Sequence, residues 1–273
     1  MASCYKSGTT LTQQIVNLLV NGVREFDHLR NLSPWVDSVD LHIGAERVEA
    51  LSSPRFLKSH LPFDALPYHE QWRYIYLVRD GRDVCVSLFD QCRELEQHRP
   101  FDAHGNRVDY GSSDFSRFWD EWLLDGRPYW PLWDHIDSWW CARSRSNVLL
   151  LHFDALVGDK PAQVRRIAEF LGLPWSPKRG HMVCEHSSLE YMKSMERAGK
   201  LGKPVPKQTA RFINKGTNGR WQGRLSSQQI ERYFTMLYDR LEPACADWVS
   251  AREGAELTSF RAAPRVAPGT PRG

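Results

Sequence analysis

An α/β architecture, a doubly wound parallel sheet flanked by helices, is predicted by three observations along this 273-residue chain. Two short apolar runs, Tyr74–Val78 and Asn147–Phe153, are continuous and rich in aromatic, leucine and β-branched residues, as strands buried on both faces are. Helical spacing follows each run, from Val84 to about Leu95 and from Ala162 to Leu171, the latter closed by Gly172. Near the start, Lys6-Ser7-Gly8-Thr9-Thr10 leads directly into apolar positions at helical spacing. Sheets built this way hold ligands at the carboxyl ends of their strands.

Taken in order, residues 9–20 form the first helix, with Asn21-Gly22 as its stop signal. Arg55–His60, bounded by Pro54 and Pro62, reads as a short strand whose polar tip emerges at the sheet edge. Tyr74–Val78 ends abruptly at Arg79-Asp80-Gly81-Arg82-Asp83, a loop at the carboxyl end of its strand. Phe118, Trp119, Trp122, Tyr129, Trp130, Trp133, Trp139 and Trp140 fall on helices between residues 97 and 146. Helix-to-sheet packing is the ordinary reading of such aromatics, and an aromatic substrate pocket is the alternative. Residues 196–225, rich in Gly, Lys and Arg without periodicity, read as a long loop of the lid type. The Pro- and Gly-rich residues 253–273 read as a disordered tail after a domain spanning residues 1–252.

Composition narrows the function class. The chain is 41% hydrophobic and 25% charged with net charge +3, which lacks the dense basic surface of a nucleic-acid binder. Its six cysteines show neither zinc spacing nor a C-x-x-C pair, and they read as reduced thiols. No run of about 18 apolar residues occurs, and the first ten residues lack a signal-peptide pattern, so a cytoplasmic location is the default expectation.

Three basic segments converge on the predicted ligand edge. At a helix start, the backbone of Ser7, Gly8, Thr9 and Thr10 can cradle a phosphate while Lys6 supplies charge. A plain N-cap by serine or threonine is the competing reading. Arg79 with Ser87, and Phe212-Ile213-Asn214-Lys215-Gly216, supply a second set of anion ligands. Together they predict a nucleotide with two separated anionic groups.

Five segments then resemble the signatures of the cytosolic-type sulfotransferases that use 3'-phosphoadenosine 5'-phosphosulfate. Ser3–Leu11 is similar to that family's T-Y-P-K-S-G-T-T-W, and Lys58–Pro62 to its K-T-H-L-P. Arg79–Ser87 resembles R-N-P-K-D-x-x-V-S, Pro128–Trp140 the P-Y-x-x-W-x-D-H-x-x-x-W-W segment, and Phe212–Trp221 the F-x-R-K-G-x-x-G-D-W segment. The resemblance implies a P-loop-like fold. It implies a donor 3'-phosphoadenosine 5'-phosphosulfate that leaves as adenosine 3',5'-bisphosphate, no required metal, and a small-molecule or glycolipid acceptor carrying a hydroxyl. Departures are specific. Only Met1-Ala2-Ser3 precede Cys4-Tyr5-Lys6, so the first central strand reads as truncated. Leu11 replaces a tryptophan implied to stack on adenine, Asn214 replaces an arginine, and Arg220 replaces an aspartate. That charge reversal makes Arg220 a candidate source of the lost positive charge. No dimerisation pattern is recognisable in residues 222–229, which leaves the oligomeric state open.

For sulfuryl transfer, His60 is the candidate general base, since the ordinary imidazole pKa of about 6.5 suits neutral pH. A structural hydrogen bond at a strand end is its alternative role. Lys6 would stabilise the leaving phosphate, and Lys58, on the same strand face as His60, would hold sulfuryl oxygens. Arg79, Ser87, Lys215 and Gly216 would bind the 3'-phosphate together with the Phe212–Asn214 stretch. By the same resemblance, Phe153, Ser187 and Leu189 fall near the adenine. A P-loop kinase is the enzymatic rival, but the run G-x-x-x-x-G-K-[ST] that it needs is absent. A non-catalytic nucleotide-binding remnant is the other alternative, motivated by the short first strand, Asn214 and Arg220.

Overall fold

The computed structural model describes residues 1–23, 25–37, 45–96, 109–201, 213, 216 and 218–250. The predicted tail 253–273, and residues 202–212, 214, 215 and 217 of the predicted loop, lie outside the described residues. The chain runs β1 (Ala2–Ser3), α1 (Thr9–Asn21), α2 (Leu29–Leu32), α3 (Ala45–Glu49), a 3-10 turn (Phe63–Ala65), β2 (Tyr74–Val78) and α4 (Gly81–Glu96). It continues through α5 (Phe115–Asp125), α6 (Leu132–Cys141), β3 (Val148–His152), α7 (Phe153–Gly158), α8 (Lys160–Phe170) and α9 (Pro177–Glu185). The last described helices are α10 (Leu189–Arg197), α11 (Ser227–Arg240) and α12 (Pro243–Ser250).

The three strands are parallel in the order β1-β2-β3. Ala2 pairs with Tyr76 and Ser3 with Leu77, while β2 and β3 run in register from Tyr74 with Val148 to Val78 with His152. Single bridges, Ala2 to Ser59 and Trp35 to Lys58, extend the sheet beyond β1. The first strand is therefore present, central and two residues long. The strand expected over 55–60 reduces to those bridges. Lys58 N donates to Pro34 O at 2.8 Å and Ser59 N to Met1 O at 2.9 Å, so successive residues pair to opposite sides with short extended partners.

Alternation along the strands builds two cores, one on each face. Tyr74, Tyr76 and Val78 pack with residues of α4, α5, α6, α11 and α12. Ile75, Leu77, Leu149 and Leu151 pack with α1, α7, α8 and α9. Trp119, Trp139 and Trp140 are fully buried in the first core, as helix-to-sheet packing requires. Helix α4 starts at Gly81, three residues before the expected Val84, because Asp80 acts in the manner of a cap: its carboxylate accepts from Arg82 N at 2.8 Å and its carbonyl from Val84 N at 3.0 Å. Among the described residues no helix is long and apolar enough to cross a membrane, and none of the six cysteines forms a disulfide.

Candidate active site

The turn from β1 into α1 is shaped by backbone geometry that few residues adopt. Lys6 has φ of 64° and Gly8 has φ of 101°, both left-handed. The hydroxyls of Ser3 and Thr9 bond to each other, which joins the strand end to the helix start and closes the turn. Helix α1 has Gly8 as its N-cap and no side-chain cap bond, so the plain capping reading fails. Its first N–H groups are left to other acceptors. The Ser7 hydroxyl is buried and has no hydrogen-bond partner. An orphan hydroxyl beneath an uncapped helix start suits an anion that both would contact. A Cβ at Gly8 would lie 2.7 Å from Phe153 Cδ2 at a φ that L side chains avoid. Gly8→Ala is therefore expected to destabilise the chain by roughly 2–4 kcal/mol. A thermal melt checks this, and an unchanged midpoint would contradict it.

Arg79, at the end of β2, is drawn over this turn. Its Nη1 donates to Lys6 O at 3.2 Å, its Nε donates to Asn218 Oδ1 at 3.3 Å, and its guanidinium lies 4.5 Å from the Phe153 ring centre. Asp83, one turn on, accepts from Gly219 N at 2.8 Å and Arg220 N at 2.7 Å. Thus α4 and the segment 218–220 are held together beside the turn. Ser87 sits one turn further along α4 and is buried. Burial lowers the pKa of Lys6 to about 8, opposed by the charge of Glu94 and reinforced by Arg79 and Arg220.

His60 is buried and fixed from three sides. Its N–H donates to Asp37 Oδ2 at 2.9 Å, its Nδ1 lies 2.8 Å from Ser3 O, and its own carbonyl accepts from His135 Nε2 at 3.0 Å. A carbonyl only accepts, so Nδ1 carries the proton and Nε2 keeps its lone pair. Desolvation first, then the Lys58 charge, holds the imidazole pKa well below its ordinary value, so His60 is neutral at pH 7. Tyr5 stacks on its ring at 4.1 Å, and Tyr129 stacks on the other face of Tyr5 at 3.7 Å. Trp35 meets His60 edge-on at 5.2 Å and carries the Lys58 ammonium 4.5 Å from its ring centre. Lys58 and His60 thus flank one indole. A cleft opens here, lined by Cys4, Tyr5, His60, Trp122, Tyr129, Trp130 and His135. Of the aromatics in the 118–140 region, Phe118, Trp119, Trp139 and Trp140 pack in the first core, while Trp122, Tyr129 and Trp130 line this cleft.

Four more of the predicted site residues, Phe153, Ser187, Leu189 and Thr10, are among the described residues. Phe153 underlies Gly8, and Leu189 lies where a Cβ on Gly216 would approach its Cδ1 to 2.8 Å. Ser187 is buried with its hydroxyl donated to Val183 O at 2.7 Å, which leaves only its oxygen lone pairs for a ligand. Thr10 lies in the first turn of α1. Phe212, Asn214 and Lys215 lie outside the described residues. Sequence reasoning missed Trp35 and Asp37, which come from a segment distant in sequence, and gave Tyr5 and Asn218 no role although both lie within quoted segments. Asp83 was within the quoted Arg79–Ser87 segment, where its acidity gave the only signal. Among the described residues no group of three or more His, Cys, Asp or Glu is placed to hold a metal ion.

The sulfotransferase domain model matches residues 1–242. Human sulfotransferase 1C2 is 26% identical over 254 residues, covering 87% of this chain and 80% of the relative. A 3-alpha-hydroxysteroid sulfotransferase of Cavia porcellus is 28% identical over 250 residues, covering 86% and 80%. In fold, the chain is similar to a retinol dehydratase solved with androsterone and the inactive cofactor PAP, at TM-score 0.68 and 23% identity over 89% of this chain and 80% of that one.

Proposed function

Because this chain belongs to the sulfotransferase domain family, we propose that it moves a sulfuryl group from 3'-phosphoadenosine 5'-phosphosulfate to the hydroxyl of a small or lipidic acceptor in the cytoplasm. The observation that carries the donor assignment is the buried, unpartnered Ser7 hydroxyl beneath an uncapped helix start. With Gly8, Thr9 and Thr10 it would hold the 5'-phosphate. Arg79, Ser87, Asn214, Lys215 and Gly216 would hold the 3'-phosphate, with Phe153, Ser187, Leu189 and Phe212 near the base. A relative named for hydroxysteroids and a structural neighbour solved with androsterone support a lipidic alcohol as acceptor, as do the aromatic walls of the cleft.

When bound, the donor supplies the sulfuryl group, and its bisphosphate leaves. The chain's own work is alignment and charge control. His60 Nε2, whose lone pair stays available because Nδ1 donates to Ser3 O, takes the acceptor's proton. Lys6 offsets charge that grows on the leaving phosphate oxygen, and Lys58 steadies the moving group from beside Trp35. Tyr5 and Trp35 shield the base from water, which keeps it neutral and ready.

Calorimetry with adenosine 3',5'-bisphosphate and with ADP tests the donor assignment against the kinase reading. Binding of the bisphosphate at least tenfold tighter than ADP is the expected result. Equal affinities, or preference for ADP, would overturn it.

A further inference from the structure

Segment 218–220 lies against one face of α4. Asp83, Ser87 and Asp90 stand at i, i+4 and i+7, a single stripe of an α-helix. Arg220 spans that stripe. Its backbone N–H donates to Asp83 Oδ1 at 2.7 Å, while its guanidinium pairs with the Asp90 carboxylate. Those two anchors are about 10 Å apart along the helix axis, and Ser87 lies between them. Arg220 is therefore anchored to α4 on either side of the Ser87 position, with its cationic end at Asp90.

Two cations meet at that end. Asp90 is shared by two guanidinium groups, Arg220 and, at 2.8 Å, Arg224. One carboxylate cannot neutralise both. The Arg220 side chain is largely buried at 16% exposure, so its charge is weakly screened by water. It is close enough to depress the pKa of both Lys6 and Arg79. Asp83 also accepts from Gly219 N at 2.8 Å and lies 3.8 Å from Arg79, which locks segment 218–220 against the end of β2.

We infer that Arg220 is a ligand of the donor's 3'-phosphate, delivered along α4 to a place beside Ser87 and Arg79. The inference rests on the proposed donor site. Arg224 retains Asp90 while the Arg220 fork turns to the phosphate, a swap of one anionic partner for another.

The test compares adenosine 3',5'-bisphosphate with adenosine 5'-monophosphate, which differ only in the 3'-phosphate, by calorimetry on the wild-type chain, Arg220→Gln, Arg220→Lys and Arg224→Gln. The wild type is expected to favour the bisphosphate, and Arg220→Gln to reduce that preference at least tenfold through weaker bisphosphate binding. Arg220→Lys should keep most of it, and Arg224→Gln should change it less than threefold. The readout is a ratio on one folded sample, so a general loss of stability cancels. An unchanged ratio in Arg220→Gln overturns the role of Arg220 while leaving the donor assignment intact. Absence of any preference in the wild type overturns the donor assignment itself, and this inference with it.

Discussion

Replacing His60 with alanine is expected to lower the transfer rate by about 100- to 10,000-fold, the range for loss of a positioned general base, while bisphosphate affinity stays within about twofold. The reason is positional. His60 contacts Ser3 O, Asp37 and the aromatic walls of the cleft, whereas the proposed donor ligands are the orphan Ser7 hydroxyl and Arg79, which bonds Lys6 O. Single-turnover rates paired with calorimetry separate the two effects. A matching loss of donor affinity would remove the role of base and leave His60 a structural residue. The pH profile carries a second signature. With the imidazole pKa held well below 6.5 by burial and Lys58, the neutral form persists on the acid side, so the rate is expected to hold as pH falls from 7 to 6. An imidazole of ordinary pKa would lose most of its base form over that span.

The second large effect concerns Lys6. Lys6→Ala is expected to reduce turnover by roughly 100- to 1,000-fold, the scale for removing a donor that acts on charge developing in the transition state. Donor binding should fall only a few-fold, because the backbone cradle and the Arg79 side are untouched. The sign of the pH effect follows from the burial of this ammonium. Its pKa is lowered to about 8, and the charged form is the active one, so kcat/KM is expected to fall as pH rises through about 8. Bound donor adds negative charge beside Lys6 and raises its pKa, so the alkaline limb of kcat should lie higher than that of kcat/KM. Coincident limbs, or turnover unaffected by Lys6→Ala, would contradict this assignment.

How much of this was legible in the sequence depended on how local each cause was. Tyr74–Val78 and Val148–His152 were readable because strands buried on both faces are apolar throughout. The start of α4 was misread because Arg79–Asp83 has the composition of a loop, yet the Asp80 side chain folds back to begin the helix. The capping reading at Ser7 and Thr9 failed for a similar reason. Thr9 spends its hydroxyl on Ser3, six residues back, and Ser7 turns inward. Nothing periodic could announce the Tyr129–Tyr5–His60 stack, whose three rings come from a turn, a strand tip and a connection between helices. Arg220 was visible as a charge reversal within a motif, but its path along Asp83, Ser87 and Asp90 exists only once the chain is folded.

The central claim, sulfuryl transfer by this chain, is tested most directly by incubating it with sulfur-35-labelled 3'-phosphoadenosine 5'-phosphosulfate and a panel of a simple phenol, a hydroxysteroid and a long-chain alcohol. Labelled sulfate ester on at least one acceptor, formed together with adenosine 3',5'-bisphosphate and lost in His60→Ala, is the predicted result. A folded chain that binds the bisphosphate yet transfers label to none of them would contradict the claim and favour a nucleotide-binding remnant.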